Sequence, residues 1–330
     1  MIGRLLLAAA CALFAAAPAG AVTPAKTPPI KEPPIVCPPP PQVPTFVPGG
    51  AERAAKRASD RGVLWRIERD GRVSWLYGTL HLGKPTWLFP GPKVTQALEQ
   101  SDTVALELDL SDPETLRTLL SPPDPGSAAR VLTSERLRRI ERQRALACLP
   151  SESQRKLRPV IQVAALGSLS MRADGLYPEF GIEGVLAGIA RGAGKPVIAL
   201  ETAAGQLRML EGDSEAEQAE DIDASLEDLE RGEARASTVA LADAWARSDA
   251  ARLETYFQWC KCVDRPDDKR RMRRYLDDRN PGLADGIATL HKLGQRVFGA
   301  VGALHMIGPN GLPALMAARG FTVTRVVPEP

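Results

Sequence analysis

Two of the three histidines occur in the same local pattern, an apolar run that leads into Gly-x-x-His. The first run covers residues 73–81 and ends on His81; the second covers residues 297–305 and ends on His305. Glycine near the end of a strand permits close backbone approach, which frees a following side chain to point across the sheet edge. One such histidine is usually an ordinary strand-end residue. The repeated pattern predicts that both imidazoles belong to one site.

Two glutamates occupy comparable settings. Glu107 lies in the apolar run 103–108, and Glu201 follows the apolar run 197–200. A glutamate in such a place is costly unless it meets a cation, a metal or a hydrogen-bond donor. Two neutral imidazoles and a carboxylate would bind a divalent metal such as Zn, Mn, Co or Fe, and a second carboxylate could position water or act as general base. For Glu201, a helix N-cap or a salt bridge is an open alternative.

Arg279 and Asn280 stand between a charged helix and Pro281, so both side chains are predicted to lie at a helix end. An arginine there could clamp a substrate carboxylate or stabilise an oxyanion. An ordinary salt bridge with Asp277 or Asp278 is an equally good interpretation. The third histidine lies in a predicted helix outside both Gly-x-x-His patterns, and we expect it to be structural.

The elements that must position these residues alternate between strands and helices. Apolar runs predict strands at 63–68, 73–77, 103–108, 197–200, 296–301 and 321–327, the first two joined by an Asp-Gly turn. Helical spacing predicts helices at 51–61, 93–100, 180–191, 203–232, 235–259, 267–278, 282–293 and 311–319, and a mostly helical stretch from 111 to 170. The fold class is therefore mixed α/β, with a central sheet of strands distant in sequence, flanking helices and a large helical insertion.

The N-terminus predicts export. Residues 1–21 combine an early arginine, an apolar stretch and small residues before a cleavage point, which is typical of a signal peptide. The proline-rich segment 22–48 predicts an extended tether. A single domain is expected over 49–330, with a two-lobed arrangement as the open alternative. No later segment predicts a membrane span in the mature chain, so the protein is expected in the periplasm or outside the cell.

The overall charge of the chain argues against nucleic acid as a partner. The 330 residues carry 42 basic and 40 acidic side chains, a formal net charge of +2. This balance gives no electrostatic reason to expect nucleic acid.

Four cysteines remain once the signal peptide is removed: Cys37, Cys148, Cys260 and Cys262. They permit two disulfides in three possible connectivities. A Cys260–Cys262 bond would close a very small ring, so we expect each of these two to bond with Cys37 or Cys148. The Cys-x-Cys spacing could also indicate a metal site, but no second Cys/His pair accompanies it.

Taken together, several motifs resemble the TraB/GumN family. That family includes the Tiki proteins and is grouped with erythromycin-esterase-like and ChaN-like proteins. The resemblance covers roughly residues 60–327. The segments that carry it are 76–81, 105–109, 200–202 with Gln206, Arg279-Asn280, and 301–305 with 311–313.

The resemblance implies a hydrolase-like α/β fold with a divalent metal (Zn, Mn or Co) held by His81 and His305. The essential glutamate of the family maps onto Glu107, and its arginine motif maps onto Arg279 and Asn280. Tiki members look like metal-dependent proteases that act outside the cell. The expected function is thus an exported metal-dependent hydrolase, first of all a peptidase using metal-activated water on a peptide or another small or envelope substrate.

Other functions stay open at this point. The chain could be a non-catalytic binding protein for haem, a metal or another ligand of the cell envelope, or an accessory factor in polysaccharide biogenesis. One departure from the family pattern concerns Glu183, which stands where the family is expected to have aspartate. This places any contribution of Glu183 in question.

Overall fold

The structure is a computed structural model that describes residues 35–150, 152 and 154–327. The predicted signal peptide and the first part of the predicted tether lie outside these residues. Residues 35–47 form neither helix nor strand, as expected of a proline-rich segment. Within the part of the chain that the structure describes, no helix has the length and apolar character needed to span a bilayer.

The regular elements follow the predicted alternation. The strands are β1 Leu64–Arg69, β2 Arg72–Thr79, β3 Thr103–Leu106, β4 Val197–Ala199, β5 Val297–Gly302 and β6 Thr322–Val327. The helices of the first half are α1 Gly50–Lys56, α2 Pro92–Glu99, α3 Pro113–Leu119, α4 Pro125–Val131, α5 Ser134–Leu146, α6 Pro159–Ser170 and α7 Ile182–Gly192. Those of the second half are α8 Ala203–Glu211, α9 Glu215–Arg231, α10 Glu233–Ala246, α11 Ala250–Glu254, α12 Tyr256–Trp259, α13 Pro266–Tyr275, α14 Asn280–Lys292 and α15 Leu312–Ala318.

The strands form one six-stranded sheet in the order β4-β3-β5-β2-β1-β6. β3 is parallel to both β4 and β5, and β2 is parallel to β5. β1 pairs antiparallel with β2 and β6, and the turn between β1 and β2 uses positive φ at Asp70 and Gly71. The mixed α/β class with a sheet of strands distant in sequence is therefore confirmed.

Helices cover both faces of the sheet, which explains why its parallel strands are mostly apolar. On one face, Tyr77 and Phe298 belong to a core shared with α2, α7 and α10. On the other face, Leu76 and Val301 pack in a core shared with α14 and α15. Because helices cover both faces, the ionisable side chains that follow these strands lie at the strand ends.

The predicted helical insertion has its own small core. Helices α4, α5, α6 and α9 bury a cluster that lies apart from the sheet: Val131, Ile140, Val160, Val163, Leu166, Ile222 and Leu226. This cluster explains why a long stretch without strands still folds as a compact layer.

The two long predicted helices are interrupted. The predicted helix 203–232 divides into α8 and α9 because Gly212 takes a φ of 71° and ends the first one. The predicted helix 235–259 divides between α10 and α11, because Ser248 takes a φ of 53° and Asp249 caps the next helix through its carboxylate. A second break at Thr255 separates α11 from α12. At Gly212 and at Ser248 the apolar pattern of the sequence continues past the break, but a local change in backbone conformation and a capping group end the helix.

The predicted disulfide pairing is wrong. The bonds join Cys37 to Cys148 and Cys260 to Cys262. The short ring closes because Lys261 takes a φ of 56°, which folds the chain back and brings the two cysteine Cα atoms to 5.1 Å, inside the usual range for a disulfide. The first bond attaches the proline-rich segment to the residue just beyond α5.

This pairing predicts a specific peptide map. Trypsin cuts after Lys261, so an unreduced digest should keep the peptides on either side of that cut linked through Cys260 and Cys262. A second linked pair should contain Cys37 and Cys148. Mass spectrometry before and after reduction measures both products. A peptide that links Cys37 or Cys148 to either member of the Cys-x-Cys pair would contradict the structure.

Candidate functional site at the ends of the parallel strands

The predicted site residues follow the four parallel strands at one edge of the sheet. Glu201 comes after β4, Glu107 directly after β3, His305 after β5 and His81 after β2. The backbone N–H of Glu201 donates to the carbonyl of Glu107 at 3.0 Å, which fixes the two glutamates side by side. The carboxyl ends of parallel strands are the usual place for ligands in open α/β sheets.

Arg279 lies at the centre of this cluster. Its Nε and Nη2 donate to the two carboxylate oxygens of Glu201 at 2.9 and 2.5 Å. Nη2 also donates to Glu107 Oε2 at 2.5 Å, and Nη1 donates to the carbonyl of Tyr275 at 2.9 Å. Nη1 lies 3.2 Å from His305 Nε2. The guanidinium is therefore held by five contacts within the chain, and neither Asp277 nor Asp278 contributes one.

Glu107 is a buried carboxylate in a positively charged environment. It is 5% exposed, and its Oε1 accepts the N–H of Gly302 at 2.8 Å. Burial alone would raise the pKa of Glu107, but His81, His305 and Arg279 outweigh it electrostatically and hold the pKa at about 2. Glu107 is therefore a permanent anion, which suits a ligand or an electrostatic role better than a proton acceptor.

The ring of His305 is held through its Nδ1 by Asn280, the first residue of α14. His305 Nδ1 lies 2.6 Å from Asn280 Oδ1, while Asn280 Nδ2 donates to the carbonyl of Asn310 at 2.8 Å. Because that Oδ1 can only accept, the proton of the neutral ring is assigned to Nδ1 and the lone pair to Nε2. Burial lowers the pKa of His305 to about 4, which keeps the ring neutral.

His81 is fixed in the same way by Glu183, in the first turn of α7. His81 Nδ1 lies 3.0 Å from Glu183 Oε1, which also accepts the hydroxyl of Thr79 at 2.5 Å. Glu183 raises the pKa of His81, and water around its 71% exposed side chain weakens that effect. Although the sequence left Glu183 in question, the structure places it in the site. The sequence feature that could have identified Glu183 is its position in the first turn of a predicted helix.

The two histidines thus share one arrangement. In each, an oxygen acceptor at the start of a helix holds Nδ1, so Nε2 is the nitrogen that carries the lone pair whenever the ring is neutral. Metal-binding histidines are usually oriented by such an acceptor on the other ring nitrogen. The site contains three carboxylates and one guanidinium: Arg279 pairs with Glu107 and Glu201, and Glu183 pairs with His81. The acidic side chains therefore outnumber the guanidinium.

The donor types and their orientation therefore fit a borderline divalent metal. Among the described residues, no group of three or more His, Cys, Asp or Glu side chains converges on a single point that could hold an ion. The ligand set His81, His305 and Glu107 accordingly stays a prediction.

The remaining sequence interpretations also have a place in the structure. Glu201 is in a salt bridge with Arg279, as one alternative expected, and Thr202 is the N-cap of α8 instead. Asn280 is 1% exposed and reaches the site only through His305.

His291 is buried outside the site, where its ring contacts the hydroxyl of Ser74 at 2.8 Å. Gln206 supports Glu201 with a hydrogen bond of 2.9 Å.

The loop after His81 depends on a glycine. Gly83 exchanges two backbone hydrogen bonds with Tyr177, at 3.0 and 2.8 Å, so the loop lies against the segment that precedes α7 and Glu183. A Cβ on Gly83 would lie 1.9 Å from the carbonyl oxygen of Phe180. That contact is with backbone, so it cannot be relieved by a rotamer change.

Gly83→Ala is therefore expected to lower the free energy of unfolding by about 1–3 kcal/mol. Gly188→Ala is the matched control, because Gly188 lies in α7 and its Cβ would meet nothing within 4 Å. Alanine there should stabilise the helix by about 0.5–1 kcal/mol. Urea unfolding followed by circular dichroism measures both. Equal unfolding midpoints for the two variants would refute the close approach.

Comparison with known proteins places the chain in a family. The model described as the TraB/PrgY/gumN family matches residues 63–325. A curated relative, metalloprotease TIKI1 from Danio rerio, is 36% identical over 73 residues, or 22% of this chain and 15% of that protein. The aligned region thus spans well under two thirds of that relative. No solved structure shows a significant match. Because the family model covers well over half of the chain and every residue of the site, this chain belongs to the TraB/PrgY/gumN family.

Proposed function

We propose that this chain is an exported metal-dependent hydrolase, with a peptide as the first candidate substrate. The observation that carries the proposal is the matched anchoring of His81 and His305 at one negatively charged sheet edge. The similarity of part of the chain to a protein named a metalloprotease supports the reaction class. The two disulfides support a location outside the reducing cytosol.

His81, His305 and Glu107 would hold the ion. When bound, a divalent metal would polarise a substrate carbonyl and make water a better nucleophile near neutral pH. Asn280 and Glu183 keep the two imidazoles in the tautomer that presents Nε2. Glu107 supplies a negative charge that does not titrate near neutral pH.

Arg279 has a supporting role in this proposal. Its bonds to Glu107 and Glu201 hold the two carboxylates close together, and its charge helps to keep the pKa of Glu107 low. Since the chain already engages its donors, Arg279 can bind a substrate oxygen only by exchanging one of these contacts. We therefore assign it first to positioning Glu107 and Glu201.

Metal analysis of the purified protein tests the proposal. The wild type should contain about one divalent ion per chain, and His81→Ala and His305→Ala should each lose most of it because two protein ligands hold metals much less tightly than three. The same preparations, incubated with a mixture of unstructured peptides, should show cleavage by mass spectrometry for the wild type only. A chelator should abolish that cleavage.

The third histidine provides the matched control. His291→Gln removes an imidazole outside the site and should leave the metal content unchanged. Equal metal in the wild type, His81→Ala and His305→Ala would rule out the assigned ligands. Loss of metal from His291→Gln as well would show a general folding defect, which thermal unfolding of each variant would reveal independently.

One observation favours a second candidate, a non-catalytic binding protein. The site already holds a cation, Arg279, which pairs with both Glu107 and Glu201. A protein that binds one metal ion through both histidines but leaves every peptide intact would support this candidate over the hydrolase.

A further inference from the structure

The helical insertion contains a cavity that lies apart from the site formed by His81, Glu107 and His305, which we call the strand-edge site. Its volume is about 250 Å³, and it lies between α6, α9, α10 and α13, with the end of α8 on one side. The walls are mainly aliphatic: Val160, Val163, Ala164, Leu210, Ile222 and Leu229. Pockets for drug-sized ligands are usually larger, about 300–1,000 Å³. This cavity therefore matches a short chain of a few carbon atoms.

One acidic group on the cavity wall lacks a partner. Asp221 is paired with Arg274, and it lies 3.5 Å from Arg271. Asp228 also lines the cavity, yet within the described part of the chain its carboxylate makes neither a hydrogen bond nor an ion pair within 4.0 Å. Burial raises the pKa of Asp228, although Arg271 and Arg265 act in the opposite direction. Asp228 is only partly buried, so its carboxylate can pair with a cation that a ligand brings into the cavity.

The cavity thus combines an aliphatic body with one unpaired anion. A ligand that fills it must bury carbon against the aliphatic walls and place a positive charge at Asp228. A guanidinium or an aromatic ring is wide and flat, whereas an alkylammonium is narrow and ends in a compact charge with three donors. Charge complementarity and volume therefore favour the alkylammonium.

We propose that this cavity binds a primary aliphatic ammonium group, such as a short alkylamine or the end of a lysine side chain, with Asp228 as its counter-ion. Tyr275 connects the cavity to the strand-edge site, since this residue lines the cavity and its carbonyl accepts the hydrogen bond from Arg279. The binding proposal does not depend on hydrolysis or on metal, and it can fail or hold independently of the proposed function.

Two probes of equal length test the site: n-pentylamine, which is cationic at neutral pH, and 1-pentanol, which is neutral. Ligand-observed NMR titrations with the full chain give both dissociation constants. The wild type should prefer the amine. Asp228→Asn should weaken amine binding at least about tenfold and leave pentanol binding unchanged. Asp70→Asn, which changes a 78% exposed carboxylate in the β1–β2 turn, should alter neither.

A second variant fills the cavity. A Cβ on Gly167 would meet nothing within 4 Å, and this residue of α6 lines the cavity. Gly167→Leu should therefore occupy the space and abolish binding of both probes, while thermal unfolding shows a folded protein. The proposal is overturned if the amine binds wild type and Asp228→Asn equally, if it binds wild type no better than pentanol does, or if Gly167→Leu retains amine binding.

Discussion

Arg279→Met is expected to lower the free energy of unfolding by about 3–5 kcal/mol, because it leaves two partly buried carboxylates without their counter-ion. The side chains of Arg279, Glu107 and Glu201 are only 14%, 6% and 18% exposed. Water can therefore compensate little of the lost charge. Urea unfolding of the purified variant, followed by circular dichroism, measures the effect.

The control is an ion pair of similar geometry at the surface. Arg296 binds Asp102 at 2.5 Å, but the two side chains are 50% and 41% exposed. Arg296→Met should cost no more than about 1 kcal/mol. Combining Arg279→Met with Glu107→Gln should recover part of the loss, since one unpaired charge is then removed. A loss in Arg279→Met no greater than in Arg296→Met would refute the buried ion pair.

Trp245→Ala is expected to cost about 3–5 kcal/mol, the range for removing a large aromatic side chain from a core. Trp245 is 2% exposed and packs against Trp87 and Tyr77. Its Nε1 donates to the carbonyl of Gly78 at 2.7 Å. Gly78 begins the first Gly-x-x-His pattern, so the substitution should also loosen the strand end that carries His81. The same urea unfolding measures it.

Trp245→Phe separates packing from hydrogen bonding. The phenyl ring fills much of the space but leaves the Gly78 carbonyl unpaired, at an expected cost of about 1–3 kcal/mol. If Trp245→Phe were as destabilising as Trp245→Ala, the hydrogen bond would account for the whole effect. If both were neutral, Trp245 would not hold the end of β2.

The residues of the site could be predicted from the sequence because strand ends have a recognisable pattern. Apolar runs end in Gly-x-x-His twice and are followed by glutamate twice, and parallel strands bring their carboxyl ends to one edge. Pairing partners could not be predicted in the same way. Nothing in the local sequence indicates that Arg279 selects Glu107 and Glu201 instead of the nearby Asp277 and Asp278.

Backbone conformation accounts for the wrong predictions. The Cys260–Cys262 bond depends on the positive φ of Lys261, and the division of a long predicted helix depends on the positive φ of Ser248. Both are non-glycine residues that rarely adopt this conformation, so their types give no warning. Glu183 was underestimated because its role depends on where α7 begins relative to the end of β2.

The sequence by itself determined the alternation of strands and helices, the mixed α/β class and the residues at the strand ends. Periodic apolar patterning and strand-end glycines are local properties, and they need no knowledge of distant segments. Only the tertiary structure decided that Glu183 and Asn280 orient the two histidines, that Arg279 joins the two glutamates, and that Asp228 faces a cavity without a partner. These are contacts between residues far apart in the chain, and they exist only after the helices have packed on the sheet.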